Sequence, residues 1–242
     1  MFVNIAADAN RSVDPASRRK RALVTGTSSG IGAAIAHRLL REEWQVTGLD
    51  RSPAATRSAD FEPVEIDLTD FERVAAVLDR ISAIDAFVHA AGFMRTAPLG
   101  ELDAQDGEAM WRVHVQVAAV IANALSEKFS TQGRIVLIGS RTAAGAARRS
   151  QYAAAKAALA AMARSWAAEL APRGITVNVV APAATETPML NDSARDGTPP
   201  RLPPIGRFIQ PEEVAALTSF LLSADAAAIT GQQIVICGGS SL

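Results

Sequence analysis

A tyrosine and a lysine stand four residues apart, at Tyr152 and Lys156, in a segment of helical period. On a helix this spacing brings both side chains out on one face. To act as an acid or base near neutral pH, Tyr152 needs a pKa well below the usual phenol value of about 10. One ammonium about 4 Å away, in an effective dielectric near 20, supplies about 4 kcal/mol toward that shift. The pair therefore predicts proton transfer at a substrate oxygen, although this spacing also arises by chance.

A glycine-rich turn near the N-terminus could bind phosphate. Residues 22–25 have the pattern of a strand, and they lead through Gly26-Thr27-Ser28-Ser29-Gly30-Ile31-Gly32 into a helical segment. Glycines permit a tight turn and a close backbone approach, while free amides and the dipole at a helix N-terminus attract negative charge. We predict a dinucleotide pyrophosphate site here, the alternative being a strand-to-helix turn without a ligand. The predicted contacts are Gly26, Ser28, Ser29, Gly30, Ile31 and Gly32.

An aspartate, Asp50, ends the second predicted strand, about 20 residues after the turn, where such folds place an acid on the adenosine ribose. Its carboxylate can accept hydrogen bonds from both ribose hydroxyls and would repel a 2′-phosphate. This favours NAD as the cofactor over NADP. Arg51 follows directly and could pair with a 2′-phosphate, so the sequence leaves NADP open.

The elements around these residues alternate between strand and helix patterns from residue 21 onward. This alternation predicts the α/β class, as a single-domain, Rossmann-type, doubly wound parallel sheet of about seven strands with helices on both faces. The predicted strands are residues 22–25, 44–50, 63–67, 86–89, 134–138, 175–180 and 233–237. The predicted helices include residues 31–41, 106–129 and 150–171, and a capping box at Thr69 is expected to open another.

Two segments lie outside this alternation. Residues 1–20 mix polar, charged and proline residues, so we expect a poorly ordered extension before one domain over residues 21–242. Residues 182–210 contain six prolines and no sustained period, which is typical of a lid or binding loop. We predict that this loop forms the substrate pocket.

The composition of the chain limits the classes of ligand that it could bind. The 242 residues carry 24 basic and 25 acidic side chains and one cysteine, Cys237. This balance indicates no nucleic acid and no charged membrane surface as partner, and no apolar stretch reaches the roughly 20 residues that cross a bilayer. The histidines at 37, 89 and 114 lack metal-ligand spacing, and a lone cysteine forms no internal disulfide. We expect a cytoplasmic protein with a small-molecule substrate and no metal.

Taken together, the motifs resemble those of the classical short-chain dehydrogenases/reductases over nearly the whole chain from about residue 21. The resemblance rests on the glycine turn, Asp67, the segment 90–92, Ser140, the Tyr152 and Lys156 pair, and the run 177–182 leading to Thr187. It implies Tyr152 as acid/base, Lys156 on the cofactor ribose and lowering the Tyr pKa, and Ser140 on the substrate oxygen. Further implied cofactor contacts are Asp67, Leu68, Ala90, Ala91, Gly92, Tyr152, Lys156, Pro182, Thr185 and Thr187. The resemblance also implies a homotetramer packed through the two long helices.

One catalytic position departs from the family pattern. His114 stands where the family usually has an asparagine whose main-chain carbonyl helps to hold a water beside the lysine. Any residue in the same helical distortion could supply that carbonyl. The other interpretation is that the imidazole joins the proton relay, since histidine titrates near neutrality.

Two arginines stand close to the catalytic residues, Arg141 directly after Ser140 and Arg149 three residues before Tyr152. Arginine usually points to solvent or pairs with a neighbouring acid. The alternative is that Arg141 or Arg149 faces the pocket and anchors an anionic substrate, because a guanidinium binds carboxylate or phosphate through two bonds.

These observations predict an NAD(H)-dependent oxidoreductase that transfers hydride between nicotinamide and a small or medium secondary alcohol or ketone, anionic or sugar-derived among the options. A 3-oxoacyl-thioester reductase using NADPH is the alternative within the enzymes, and Asp50 argues against it. A catalytically silent, NAD-binding regulatory protein is the alternative of another class. Intact Ser140, Tyr152 and Lys156 argue against it.

Overall fold

Seven strands form one parallel sheet in this computed structural model, which describes residues 18–54, 56–192 and 199–242. The strands are β1 (Arg21–Thr25), β2 (Gln45–Asp50), β3 (Phe61–Glu65), β4 (Ile84–His89), β5 (Phe129–Ile138), β6 (Thr176–Pro182) and β7 (Gln233–Ile236). They lie in the order β3-β2-β1-β4-β5-β6-β7. The order reverses direction between β1 and β4, which opens a crevice at the carboxyl ends of these strands, where such sheets bind ligands. The predicted Rossmann-type fold is confirmed.

Helices cover both faces of the sheet. They are α1 (Gly30–Arg41), α2 (Phe71–Leu78), α3 (Ala104–Trp111), α4 (Val117–Leu125), α5 (Ser150–Leu170) and α6 (Pro211–Leu222). One hydrophobic core joins α1 and α6 to the sheet, with Ile35 and Leu221 fully buried. The other core lies on the opposite face and includes Ile121 of α4 and Leu159 of α5. Burial of the apolar stripe of each helix holds the layers together.

The predicted helix 106–129 differs from the observed one. The helix begins earlier, at Ala104, widens into a π-helical segment at Arg112–Gln116, and continues as α4 to Leu125. Phe129 is not helical but starts β5, where it pairs with Ile84 of β4. Its apolar side chain fits the helical period, so only the pairing with a distant strand reveals its place.

The predicted capping box at Thr69 is wrong. Asp70 caps α2 instead, and its carboxylate accepts the backbone N–H of Arg73 at 3.2 Å. Thr69 turns back toward Asp67, to which it donates through both its N–H and its hydroxyl at 2.8 Å. β3 also ends two residues before the predicted boundary, so Asp67 lies in the loop after the strand.

The proline-rich segment has more structure than its sequence predicts. Ile209 donates its N–H to Ala184 O at 3.0 Å and accepts the N–H of Glu186 at 2.8 Å, so the two ends of the loop are paired. A short 3-10 turn, Pro188–Asn191, follows Thr187. Residues 193–198 lie outside the described part of the chain.

The prediction of a poorly ordered extension falls mainly on residues 1–17, which are outside the described residues. The next two residues are ion-paired to the domain, Arg18 with Asp85 at 2.7 Å and Arg19 with Asp60 at 2.6 Å. In the described residues, no helix has the length and apolar character that crossing a membrane requires.

Candidate active site

A cleft of about 1100 Å³ opens at the carboxyl edge of the sheet, bordered by the residues that follow β1, β4 and β5 and by the end of β6. Every residue that the sequence predicts as catalytic, cofactor-binding or substrate-binding lines this cleft. At the adenosine and pyrophosphate end these are Gly26, Ser28, Ser29, Gly30, Ile31, Gly32, Asp50, Arg51, Asp67, Leu68, Ala90, Ala91 and Gly92. At the catalytic end they are His114, Ser140, Arg141, Arg149, Tyr152, Lys156, Pro182, Thr185 and Thr187. The fold thus brings together two groups that are far apart in the chain.

The glycine turn has the shape of a phosphate cradle. Gly26 adopts a φ of +78°, which glycine tolerates best, and its N–H donates to Leu49 O at 2.8 Å. A side-chain carbon there would lie 2.8 Å from Cα of Ala91, so the turn has no room for one. Ser29, which precedes α1, forms no capping bond through its side chain. The first amides of α1 therefore suit the pyrophosphate of a dinucleotide.

Asp50 closes the cradle from β2. Its carboxylate accepts the N–H of Ser28 at 2.9 Å and the N–H of Ser52 at 3.0 Å, one on each oxygen. Each oxygen retains a further lone pair for a ligand hydroxyl. These bonds hold the carboxylate at the cleft wall, where a ribose diol would fit.

Asp67 lies at the predicted adenine end of the cleft. Hydrogen bonds from the N–H and then the hydroxyl of Thr69 lower the pKa of Asp67, and the charge of Arg51 acts in the same direction. The side chain is therefore a carboxylate at neutral pH, able to accept from an amino group. The contact with adenine that the family resemblance implies stays a prediction.

A buried network fixes the chain after β4. The hydroxyl oxygen of Thr25 accepts the N–H groups of Ala90 and Ala91, both at 3.1 Å. Its proton is then directed to Nδ1 of His89, 3.0 Å away. Burial, followed by the charge of Lys156, lowers the pKa of His89 to about 3. His89 is therefore neutral and holds the adenosine wall in place.

Tyr152 and Lys156 emerge together from the first turns of α5, and each is only 5 % exposed. The Lys156 ammonium donates to Ile138 O at 2.7 Å, which ties it to the end of β5. Burial lowers its pKa to about 7. Nζ lies 5.8 Å from the centre of the Tyr152 ring. The ammonium is thus held where its charge acts on the phenol.

Ser140 lies at the start of the 3-10 turn Arg141–Ala144 that follows β5. Its Oγ accepts the N–H of Thr142 at 3.1 Å, which orients the side chain in the cleft. Accepting that bond leaves the hydroxyl proton available for donation to a substrate oxygen. Ser140, Tyr152 and Lys156 thus line one cleft, as the predicted acid/base role requires.

Comparison with known proteins shows the family of the chain. The sequence profile of a family described as enoyl-(acyl carrier protein) reductase matches residues 26–241, and known members of the dehydrogenase group align along most of the chain. The chain belongs to the classical short-chain dehydrogenase/reductase family.

Three relatives illustrate the range within this short-chain dehydrogenase/reductase family. The 3-oxoacyl-[acyl-carrier-protein] reductase FabG of Vibrio cholerae is 34% identical, over 91% of this chain and 96% of its own. The cis-4-hydroxycyclohexanecarboxylate dehydrogenase of Sinomonas cyclohexanicum is 38% identical, over 90% of this chain and 95% of its own. A short chain dehydrogenase from Burkholderia cenocepacia, crystallised with NADP, has a TM-score of 0.79 and 31% identity, covering 92% of this chain and 98% of that one.

The departure of His114 from the short-chain dehydrogenase/reductase pattern is accommodated by the π-helical segment. His114 is completely buried, and its Nε2 lies 2.8 Å from Phe93 O, so Nε2 carries the proton. Burial, then the charge of Lys156, holds the pKa of His114 well below its usual value. The imidazole and the Tyr152 ring are nearly perpendicular, with 5.5 Å between their centres. The imidazole is therefore neutral and packs against the tyrosine.

Further residues surround Tyr152. Met94 and Met110 pack with Tyr152 in a small apolar cluster, and Met189, Arg201, Leu202 and Ser240 line the cleft. Met189, Arg201 and Leu202 belong to the segment 182–210, which the sequence predicts to form the substrate pocket. Met94, Met110 and Ser240 were not predicted, because no local pattern connects these separate segments. Within the described residues, no group of three potential metal-ligating side chains is present.

Proposed function

We propose that this short-chain dehydrogenase/reductase is NAD(H)-dependent and transfers a hydride between nicotinamide and a secondary alcohol or ketone of small or medium size. The observation that carries the cofactor choice is Asp50, whose carboxylate is held by two backbone N–H groups at the cleft wall. A ribose diol would complete its hydrogen bonds, whereas a 2′-phosphate would place like charges together.

The side chains support acid/base catalysis at one oxygen. Tyr152 would give a proton to a carbonyl oxygen in reduction or take one from an alcohol in oxidation. Ser140 would donate to the same oxygen, and Lys156, when protonated, would favour the phenolate electrostatically. A bound nicotinamide would supply the hydride acceptor or donor.

The test of the cofactor is kcat/KM for NAD and NADP over a panel of alcohols and ketones. We expect a higher kcat/KM with NAD than with NADP. Asp50→Ala should reduce this difference by lowering kcat/KM for NAD. Arg51→Ala should leave the NAD value nearly unchanged, because Arg51 is exposed and would serve only a 2′-phosphate. Equal or better use of NADP by the wild-type protein would contradict the proposal.

A 3-oxoacyl-thioester reductase using NADPH is the second candidate, supported by the 34% identity with FabG proteins. The NADP-bound Burkholderia relative and the adjacent Arg51 are compatible with it. Reduction of an acetoacetyl thioester with NADPH, faster than any free alcohol or ketone with NAD(H), would favour this candidate. Asp50 leads us to expect the opposite result.

A catalytically silent NAD-binding regulator is disfavoured, because Ser140, Tyr152 and Lys156 all line the cleft. NADH formation from any alcohol, lost in Tyr152→Phe, would exclude it. We further propose a homotetramer in the cytoplasm, with the long helices at its interfaces. Light scattering coupled to gel filtration measures the assembly.

A further inference from the structure

The charges along the cleft are divided between its two ends. The carboxylates that line it, Asp50 and Asp67, belong to the adenosine end, whereas four arginines line the chamber beside Ser140 and Tyr152. These are Arg141, Arg148, Arg149 and Arg201. Among the described lining residues, that chamber contains no carboxylate. The protein therefore offers an anion a basic chamber beside the reacting oxygen.

Arg141 is the arginine with the geometry of an anchor. Arg141 and Arg149 are half-buried, whereas Arg148 and Arg201 are exposed, and Arg141 is the one that directly follows Ser140. Its Nη1 donates to Ser240 O at 3.2 Å, which seats the guanidinium against the C-terminal segment. In the described part of the chain it forms no ion pair, and this bond uses one of its five N–H donors. A half-buried charge without an internal counter-ion suits an anionic ligand.

Arg141 is placed so that a bound anion would lie near the residues proposed to act on the substrate oxygen. Arg141 directly follows Ser140, and both line the cleft together with Tyr152. The same cleft also has apolar lining residues, among them Met94, Met189 and Leu202. The chamber therefore matches a molecule with an apolar body, an alcohol or carbonyl carbon, and a negative group at one end.

We propose that the substrate is a hydroxy acid or the corresponding oxo acid, and that Arg141 binds its carboxylate while Ser240 O orients the guanidinium. This inference rests on the proposed dehydrogenase function and adds the substrate class and the anchoring residue. A carboxylate accepts two parallel N–H bonds from a guanidinium, and this fixes both distance and orientation.

The experiment compares free hydroxy acids of alicyclic and short alkyl type with their methyl esters, each assayed for kcat/KM with NAD. The variants are Arg141→Ala, Arg141→Lys and the control Arg80→Ala, which removes an exposed arginine outside the cleft. We expect the wild-type protein to prefer the acid over the ester about tenfold or more, the size of one lost charge-assisted bond. Arg141→Ala should remove this preference by lowering the value for the acid alone. Arg141→Lys should restore part of it, and Arg80→Ala should change neither value.

Two control measurements test whether Arg141→Ala leaves the fold and the cofactor site intact. The Kd of NADH, measured by fluorescence, and the thermal midpoint should be unchanged in Arg141→Ala, which shows an intact fold and cofactor site. Equal kcat/KM for acid and ester, or an equal loss for both in Arg141→Ala, would overturn the inference while leaving the dehydrogenase proposal in place. Preference for a carrier-linked substrate over every free acid would also overturn it. Absence of turnover with all alcohols and ketones would instead refute the dehydrogenase proposal.

Discussion

The imidazole of His114 fills the space that a side chain at Gly92 would need. A carbon added to Gly92 would overlap Cε1 of His114 and lie 2.6 Å from its Nδ1. The same ring is held by Phe93 O and lies nearly perpendicular to the Tyr152 ring. The segment after β4 and the π-helical segment are thus fitted to each other next to Tyr152.

This fit predicts that Gly92 and His114 are energetically coupled. Gly92→Ala should destabilise the protein by about 1–3 kcal/mol, because the added methyl group has no space. In a His114→Asn background the penalty should be smaller, since asparagine lacks the ring atoms that the methyl group meets. Urea unfolding of the two single variants and the double variant measures the coupling. Additive effects would show that the two residues do not share this space.

His114→Asn should leave the pH dependence of kcat unchanged. The imidazole is neutral, and its proton points to Phe93 O, a carbonyl that cannot pass a proton on. A proton relay through the imidazole therefore has no further acceptor. If His114 did transfer protons, its loss would lower kcat about 100-fold or more. Stopped-flow or steady-state pH profiles of both proteins decide the question, and a shifted profile would favour the relay.

Lys156 should make the cofactor-free protein more stable as the pH rises above 7. Burial lowers the pKa of Lys156 in the folded protein to about 7 from 10.5. Between pH 7 and pH 10.5 the unfolded chain therefore binds a proton that the folded protein does not. The free energy of unfolding should then rise by up to about 1.4 kcal/mol per pH unit in this window. Lys156→Met should remove this part of the slope in urea titrations at several pH values. An identical slope in the variant would contradict the burial of the charge.

His89 should make the protein sensitive to acid. Its pKa in the folded protein is lowered to about 3 from 6.5. Between pH 6.5 and pH 3 the unfolded chain therefore binds a proton that the folded protein does not. The free energy of unfolding falls as the pH falls through this range. His89→Asn should reduce the loss by up to about 1.4 kcal/mol per pH unit. His114 titrates in the same direction, so some acid sensitivity should remain. Urea midpoints at pH 7 and pH 5 compare the two proteins, and equal losses would show that His89 is not the sensitive group.

The sequence alone predicted the sheet, the cradle and the acid/base pair, because each depends on residues close together in the chain. The glycine turn spans seven residues, and Tyr152 and Lys156 share one helix face by spacing alone. Element boundaries were predicted less well. Phe129 fits a helical period and yet pairs with Ile84, and Asp70 rather than Thr69 caps α2. A distant strand decided the position of Phe129, whereas the cap was decided locally, because Thr69 donates to Asp67 and leaves Asp70 to accept the N–H of Arg73.

Only the tertiary structure decided what surrounds these residues. Arg141 meets Ser240, 99 positions later in the chain, and His114 packs against Gly92 through the π-helical segment. Neither contact is visible in the local sequence pattern, because residues from separate segments come together only after the strands are in register. The sequence by itself therefore determined the family, the sheet and the residues that we propose for acid/base chemistry and cofactor binding. The packing of distant segments decided the state of His114 and the orientation of the arginine that we propose as the substrate anchor.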